Sequence, residues 1–202
     1  PFAVNQDFSL TSLGEIFPKP KNPIYLEIGF AGGMFLLDFC ANNPNINLYG
    51  LEIRKQLVDR VKIRIAENKL TNAYVEQANA NTSITQLFAE NSIDQVLIFF
   101  PDPWIKKKHI KRRLVNNQLV RDIATVLKPS GEVLIQSDVE ELANDIRDHF
   151  ETNNKFVNIH GANQWAKNKK NDNYENLKTR FDRCLNQIDE FNSTHKSDSL
   201  LG

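Results

Sequence analysis

Residues 24–33 read Ile24-Tyr25-Leu26-Glu27-Ile28-Gly29-Phe30-Ala31-Gly32-Gly33. The first five are apolar or aromatic apart from Glu27, the composition of a short strand buried on both faces. The glycines that follow permit a tight turn and a close backbone approach to a ligand. Met34 to Ala41 then reads as a helix whose free N–H groups face that turn. Strand, glycine turn and helix together open a βαβ unit, which requires a parallel sheet covered by helices. The dinucleotide fingerprint G-x-G-x-x-G is not completed, because position 31 is Ala and position 34 is Met. An acid two residues before the first glycine suits a ligand with an amino-acid or hydroxyl part better than a pyrophosphate.

The same alternation continues outward. Asn47 to Ile53 reads as a second strand, and Gln56 to Asn68 as a helix with Leu57, Val58, Val61 and Ile65 on one face. Ala73 to Gln77 is a weaker strand, followed by a helix around Ile84 to Glu90. Val96 to Phe100 is the strongest strand signal, contiguous and stopped by Pro101. Val115 to Leu127 is helical, Pro129-Ser130-Gly131 a turn, Glu132 to Gln136 a strand and Glu140 to Phe150 a helix. The pattern predicts an α/β fold, a mostly parallel sheet with helices on both faces. In such sheets ligands bind beyond the carboxyl ends of the strands, near the switch in strand order.

At 202 residues the chain has the length of one domain. We read 1–22 as an N-terminal segment, 167–176 as a polar mobile loop and 193–202 as a frayed tail. Hydrophobic residues at 41% and charged residues at 25% are globular values and argue against disorder. No apolar run reaches the roughly 18–20 residues of a membrane span. Lys+Arg 25 against Asp+Glu 25 excludes holding a polyanion by bulk charge, but not by a local patch. Cys40 and Cys184 form no metal or disulfide spacing, and His109, His149, His160 and His195 share none, so no metal is expected and a reducing cytoplasm fits. The chain opens on Pro1 and its single methionine is Met34, so the initiator end is expected to be missing and any N-terminal extension or signal is not visible in this sequence. Nothing in the sequence selects a monomer or a homodimer.

The residues just after the strands carry the chemistry. Glu52 ends the second strand 25 positions past Glu27, where a carboxylate can accept two ribose hydroxyls. After the fourth strand the chain reads Phe99-Phe100-Pro101-Asp102-Pro103-Trp104-Ile105-Lys106-Lys107-Lys108-His109-Ile110-Lys111-Arg112-Arg113. Two prolines hold Asp102 stiffly, and Trp104 offers a face for base stacking. Six cations within eight positions form a phosphate-binding patch inside a neutral protein. Ser137-Asp138-Val139-Glu140-Glu141 opens a helix, where acids also serve as a plain N-cap. Leu177 to Arg183 alternates like an edge strand.

The run FPDPWIKKKHIKRR, with the Glu27–Gly29 turn and Glu52, resembles the bacterial tRNA (guanine-N7-)-methyltransferase family, over about Tyr25 to Arg183. The resemblance implies a Rossmann-like methyltransferase fold with a seven-stranded sheet whose last strand is antiparallel. It implies methyl transfer from S-adenosylmethionine to guanine N7 at position 46, in the variable loop of tRNA. Glu27, Gly29, Glu52 and Asn79 would hold the cofactor, and Asp102 is the implied catalytic acid, which also lies against the cofactor. Lys106, Asp138, Thr179, Arg180, Phe181 and Asp182 fall on tRNA- or guanine-binding positions. Ala31 stands where Gly is usual, Asn79 where an acid is usual, and Arg180 and Asp182 where Lys and Glu are usual. Two other readings stay open: a methyltransferase of this fold acting on a protein or small molecule, and a non-catalytic RNA-binding module.

Overall fold

The computed structural model describes residues 13–163, the side chain of Lys107 excepted. They belong to the first of two units into which the chain divides, Pro1–Trp165 and Ala166–Gly202. A short helix, α1 (Leu13–Ile16), precedes β1 (Ile24–Ile28), α2 (Met34–Asn42), β2 (Asn47–Glu52), α3 (Lys55–Glu67) and β3 (Ala73–Gln77). Then come α4 (Ala80–Leu87), β4 (Ile93–Phe99), a 3-10 turn (Lys107–Arg112), α5 (Asn117–Val126), β5 (Leu127–Gln136) and α6 (Glu140–Glu151). The described strands form one five-stranded sheet in the order β3-β2-β1-β4-β5, all pairings parallel. The chain steps from β1 out to β3 and returns on the other side of β1, so its direction switches between β1 and β4. A crevice at their carboxyl ends follows from that topology.

Alternate strand positions face opposite helical layers. Ile24, Leu26 and Ile28, with Val96 and Ile98, join one core with Ile84 and Leu87 of α4, Leu119 and Ile123 of α5, and Leu142 and Ile146 of α6. The intervening positions meet α2, where Tyr25 packs on Phe39 at 5.7 Å and Phe99 meets Phe35 edge-on at 4.9 Å. All six residues of β2 are buried, as a strand covered on both faces requires. A methyl group at Gly50 would come within 2.7 Å of Leu36 Cδ1 and Phe30 Cδ1, so glycine there lets α2 lie close to the sheet. Among the described residues no helix is long and apolar enough to cross a membrane.

Three element starts differ from the sequence expectation by three residues or more, and several other boundaries move by one to three. β4 begins at Ile93, not Val96, because its polar residues are matched sideways. Asp94 Oδ2 accepts the Ile24 N–H and a Lys128 Nζ proton, each at 2.8 Å, and Gln95 donates to Glu132 at 3.3 Å. β5 begins at Leu127, and the expected Pro129-Ser130-Gly131 turn is a bulge between the pairs Ile93–Leu127 and Gln95–Glu132. A bulge tolerates a proline and the positive φ of +66° at Ser130. α4 begins at Ala80, because the Asn79 side chain caps it by accepting the Asn81 N–H at 3.1 Å. The edge strand expected at Leu177 to Arg183, the loop at 167–176 and the tail at 193–202 lie outside the described residues.

Candidate functional site

The end of β1 supplies a buried charge and an open turn. Glu27 is 4% exposed, and its buried Oε2 receives no hydrogen bond. Burial without a partner pushes its carboxyl up to about 8. Gly29 follows at φ +82°, its N–H donating to the Leu51 carbonyl at 2.7 Å. A Cβ built on Gly29 would meet nothing within 4 Å, so the space over the turn is open.

Glu52, also 4% exposed, sits at the end of β2 beside this turn. Its Oε2 accepts the Ala31 N–H at 3.1 Å, and its Oε1 accepts the Arg54 N–H at 3.0 Å and Nε at 3.2 Å. Of roughly four lone-pair directions on a carboxylate, three are used, leaving Oε2 one more donor to accept. Glu52 therefore braces the turn as well as lining it, a role the sequence reading lacked.

Ala31 is held at φ +48°, a left-handed conformation that penalises a Cβ. Ala31→Gly is expected to raise stability by about 1 kcal/mol, lifting the melting temperature by roughly 2–4 °C. A thermal melt checks this, and a lowered melting temperature would show that the turn is unstrained.

At the end of β3, Asn79 is exposed and its side-chain oxygen caps α4. Next to it, Asn81 Nδ2 donates to the Leu114 carbonyl at 3.1 Å, and Asn116 Nδ2 donates to Asn81 Oδ1 at 2.6 Å. Asn116 in turn caps α5 through the Gln118 and Leu119 N–H groups. Neither Asn81 nor Asn116 was singled out from sequence, although Asn before an apolar periodic run is a cap signal.

The segment after β4 holds two residues in the left-handed region. Phe100 and Trp104 have φ of +48° and +41°, so strained residues bracket Pro101-Asp102-Pro103. Each such residue costs on the order of 1–3 kcal/mol and persists only where its surroundings enforce it. The Phe100 N–H donates to the Gln136 carbonyl at 2.8 Å. Asp102 is exposed at the mouth of the crevice, and Lys106 is exposed at the start of the 3-10 turn.

The structure adds to one sequence reading of this segment and corrects another. The half-exposed Trp104 already carries a cation: the Arg112 guanidinium lies 5.3 Å from its ring centroid, with the tilted His109 ring 5.6 Å away. A cation beside an indole is held by the ring's negative face, and the pair forms within the loop. The cation patch also loses a member. The Arg113 side chain is 6% exposed and donates to Glu141 at 2.9 Å and Asp145 at 3.0 Å, both on α6. A buried arginine neutralised by two acids has no charge to offer phosphate. Lys106, Lys108, Lys111 and Arg112 remain exposed.

After β5, Asp138 is exposed ahead of α6. The N-cap position is Val139, and the Ser137 hydroxyl accepts its N–H at 3.2 Å. Asp138 is therefore not the cap that the local pattern allowed. Glu27 and Gly29 thus stand at the end of β1, Asp102 three residues past β4 and Asp138 two past β5, on three adjacent strands, with Glu52 ending β2 and Asn79 two residues past β3; Lys106 lies farther on, seven residues past β4. Thr179, Arg180, Phe181 and Asp182 lie outside the described residues.

A family model described as "Putative methyltransferase" matches residues 21–190. A tRNA (guanine-N(7)-)-methyltransferase of Synechococcus sp. (strain JA-2-3B'a(2-13)) is 39% identical over 145 residues, which is 72% of this chain and 61% of that protein. One of the same name from Synechocystis sp. is 38% identical over 155 residues, 76% of this chain and 74% of the relative. The chain thus spans 61% of the length of the Synechococcus strain JA-2-3B'a(2-13) and JA-3-3Ab relatives it matches. Among solved structures, the aminoglycoside resistance methyltransferase NpmB1 superposes with a TM-score of 0.55 at 19% identity, over 71% of this chain and 74% of that one. Precorrin-6y C5,15-methyltransferase from Geobacter metallireducens gives 0.50 at 15% identity, over 65% and 61%. At such identities these two structures speak for the Rossmann-like methyltransferase fold alone.

Proposed function

This chain belongs to the tRNA (guanine-N7-)-methyltransferase family, and we propose that it transfers a methyl group from S-adenosylmethionine to N7 of a guanine in tRNA. We place that guanine at position 46 of the variable loop and the reaction in the cytoplasm. The observation that carries the reading is the placement, at the carboxyl ends of the paired strands β1 and β4, of an unpaired buried carboxylate at Glu27 and of Asp102 between two strained residues. The residues fit the cofactor. Glu27 Oε2 lacks a donor that an ammonium group would supply, and the space over Gly29 is open. Glu52 keeps one acceptor direction for a ribose hydroxyl, and Asn79 stands at the next strand end, where the adenine would lie.

When bound, S-adenosylmethionine supplies an electrophilic methyl group on its sulfonium. Guanine N7 carries an in-plane lone pair, so no base is needed to create the nucleophile. The work left to this chain is alignment and charge. Placing N7 in line with the methyl carbon, about 3 Å away, removes much of the entropic barrier. Transfer leaves positive charge on the guanine, and the Asp102 carboxylate stabilises that charge and orients the base. Lys106 and Asp138, flanking it on the same edge, are placed to contact the nucleotide, with Thr179, Arg180, Phe181 and Asp182 completing the substrate side. The test is mass analysis of tRNA nucleosides after incubation with labelled cofactor. Label in any nucleoside other than 7-methylguanosine, or none, overturns the reading.

The exposed cations extend the edge that tRNA would approach. Lys107→Ala, Lys108→Ala and Lys111→Ala combined should lower the slope of log affinity for tRNA against log salt by roughly 2, because fewer counterions are released. S-adenosylhomocysteine affinity should stay at the parent value. A slope as steep as the parent's would make this run a solvated face.

A further inference from the structure

We propose that Arg113 is the positioning residue of this site, holding the strained Phe100–Trp104 segment through the Pro103 carbonyl and thereby fixing Asp102. The proposal rests on the reading of Asp102 given above. Arg113 Nε donates to the Pro103 carbonyl at 3.1 Å, while Nη1 donates to Asp145 at 3.0 Å and Nη2 to Glu141 at 2.9 Å. Every nitrogen of the guanidinium is thus spent on either the loop or α6. The planar fork makes the arrangement rigid, and lysine cannot reproduce it, because its ammonium is a single point on a flexible stem.

The loop needs such a hold. Pro101 and Pro103 have no N–H, so the backbone beside Asp102 cannot anchor itself by donating. Phe100 at φ +48° and Trp104 at φ +41° pull against their preferred conformations. One anchor is the Phe100 N–H on the Gln136 carbonyl at 2.8 Å, which ties the entry of the segment to β5. The other is Arg113, which ties its exit to α6. Asp102 is suspended between them, and Asp138 precedes the same helix α6. If Arg113 only filled space, an apolar side chain would serve. A buried ion pair typically adds little net stability, so a cation bridged to two acids suits a role in geometry.

A double-mutant cycle tests this with the parent, Asp102→Asn, Arg113→Lys and the combined variant. The readouts are single-turnover methyl transfer at saturating tRNA and cofactor, S-adenosylhomocysteine affinity and the melting temperature. Arg113→Lys should slow transfer about tenfold, the scale of a sub-ångström misplacement, with cofactor affinity within twofold of the parent. In the Asp102→Asn background the same change should cost nothing further, because the residue acts through Asp102. Glu141→Gln, which removes one exposed anchor, should show a smaller loss with the same non-additivity, and it serves where Arg113→Lys fails to fold. A loss in Arg113→Lys or Glu141→Gln that persists undiminished in the Asp102→Asn background, or a parent rate in both, overturns the proposal alone. A parent rate in Asp102→Asn itself overturns the functional reading and this proposal with it.

Discussion

Asp102→Asn is expected to slow methyl transfer by about 10²-fold or more at saturating cofactor and tRNA, the scale of losing one preorganised electrostatic group. The substitution keeps the shape and hydrogen-bonding capacity of the side chain and removes its charge. Because Pro101 and Pro103 set the backbone and Phe100 is tied to β5, the loop should keep its conformation in the variant. The lost quantity is then the carboxylate's attraction for the cationic guanine, which is present only as the methyl arrives. Affinity for tRNA should change little, since phosphate contacts supply most of it. A single-turnover assay reads the chemical step apart from binding and release. Transfer at the parent rate would make Asp102 a turn residue.

Glu27→Gln is expected to move stability and cofactor affinity in opposite directions. The carboxyl is pushed up to about 8 in the folded chain by burial, from an ordinary value near 4.5. Below pH 4.5 the folded and unfolded chains both hold the proton, and the group contributes nothing. Between that pH and about 8 the unfolded chain releases it first, so stability falls as pH rises, and above 8 the full cost is present. Glutamine removes that cost, so the variant should gain on the parent progressively across this window, by an amount on the order of several kcal/mol at its alkaline end. S-adenosylhomocysteine should meanwhile bind roughly 10–100-fold more weakly, the loss of a charge-assisted contact to the ammonium group. Parent affinity should rise with pH toward 8, since an ionised Glu27 pairs with the cation, whereas the variant should be flat. Thermal melts and calorimetric titrations at pH 5, 7 and 9 separate the two effects. Unchanged affinity together with raised stability would remove Glu27 from the cofactor site.

Local pattern was enough for two strands of unlike burial. Ile24 to Ile28, almost wholly buried, and Ala73 to Gln77, partly exposed at the edge of the described sheet, keep their sequence boundaries in the structure, because each is a short run built on strand-forming residues with Pro, Gly or Asn close to its ends. Where polar residues sit inside a strand, the pattern stopped short. Asp94 and Gln95 conceal the start of β4 because their partners, Lys128 and Glu132, lie more than thirty residues away. The proline and glycine at 129 and 131 read locally as a turn, and only the pairing with β4 makes them a bulge within β5. The site followed the same division. Glu27, Glu52 and Asp102 were singled out because ligands bind where strands end and strand ends are visible in sequence.

By itself, therefore, the sequence determined the alternation of strands and helices, the parallel sheet and the edge at which the chemistry gathers. Each of these is set by hydrophobic period and by glycine and proline punctuation over a few residues. Only the tertiary structure decided which charges stay exposed or unpaired and which are spent on partners inside the fold. Arg113 is one of six cations within eight positions, and nothing beside it in sequence separates it from Arg112. Folding carries α6 alongside the loop, so that Glu141 and Asp145 take Arg113 into the interior while Arg112 stays outside on Trp104. Glu27 and Glu52 likewise share a place at strand ends, yet one is left unpaired and the other receives the Ala31 and Arg54 N–H groups. The reason is physical: a charge takes its role from the partners and the water within a few ångströms of it, and those neighbours come from residues far apart in the chain.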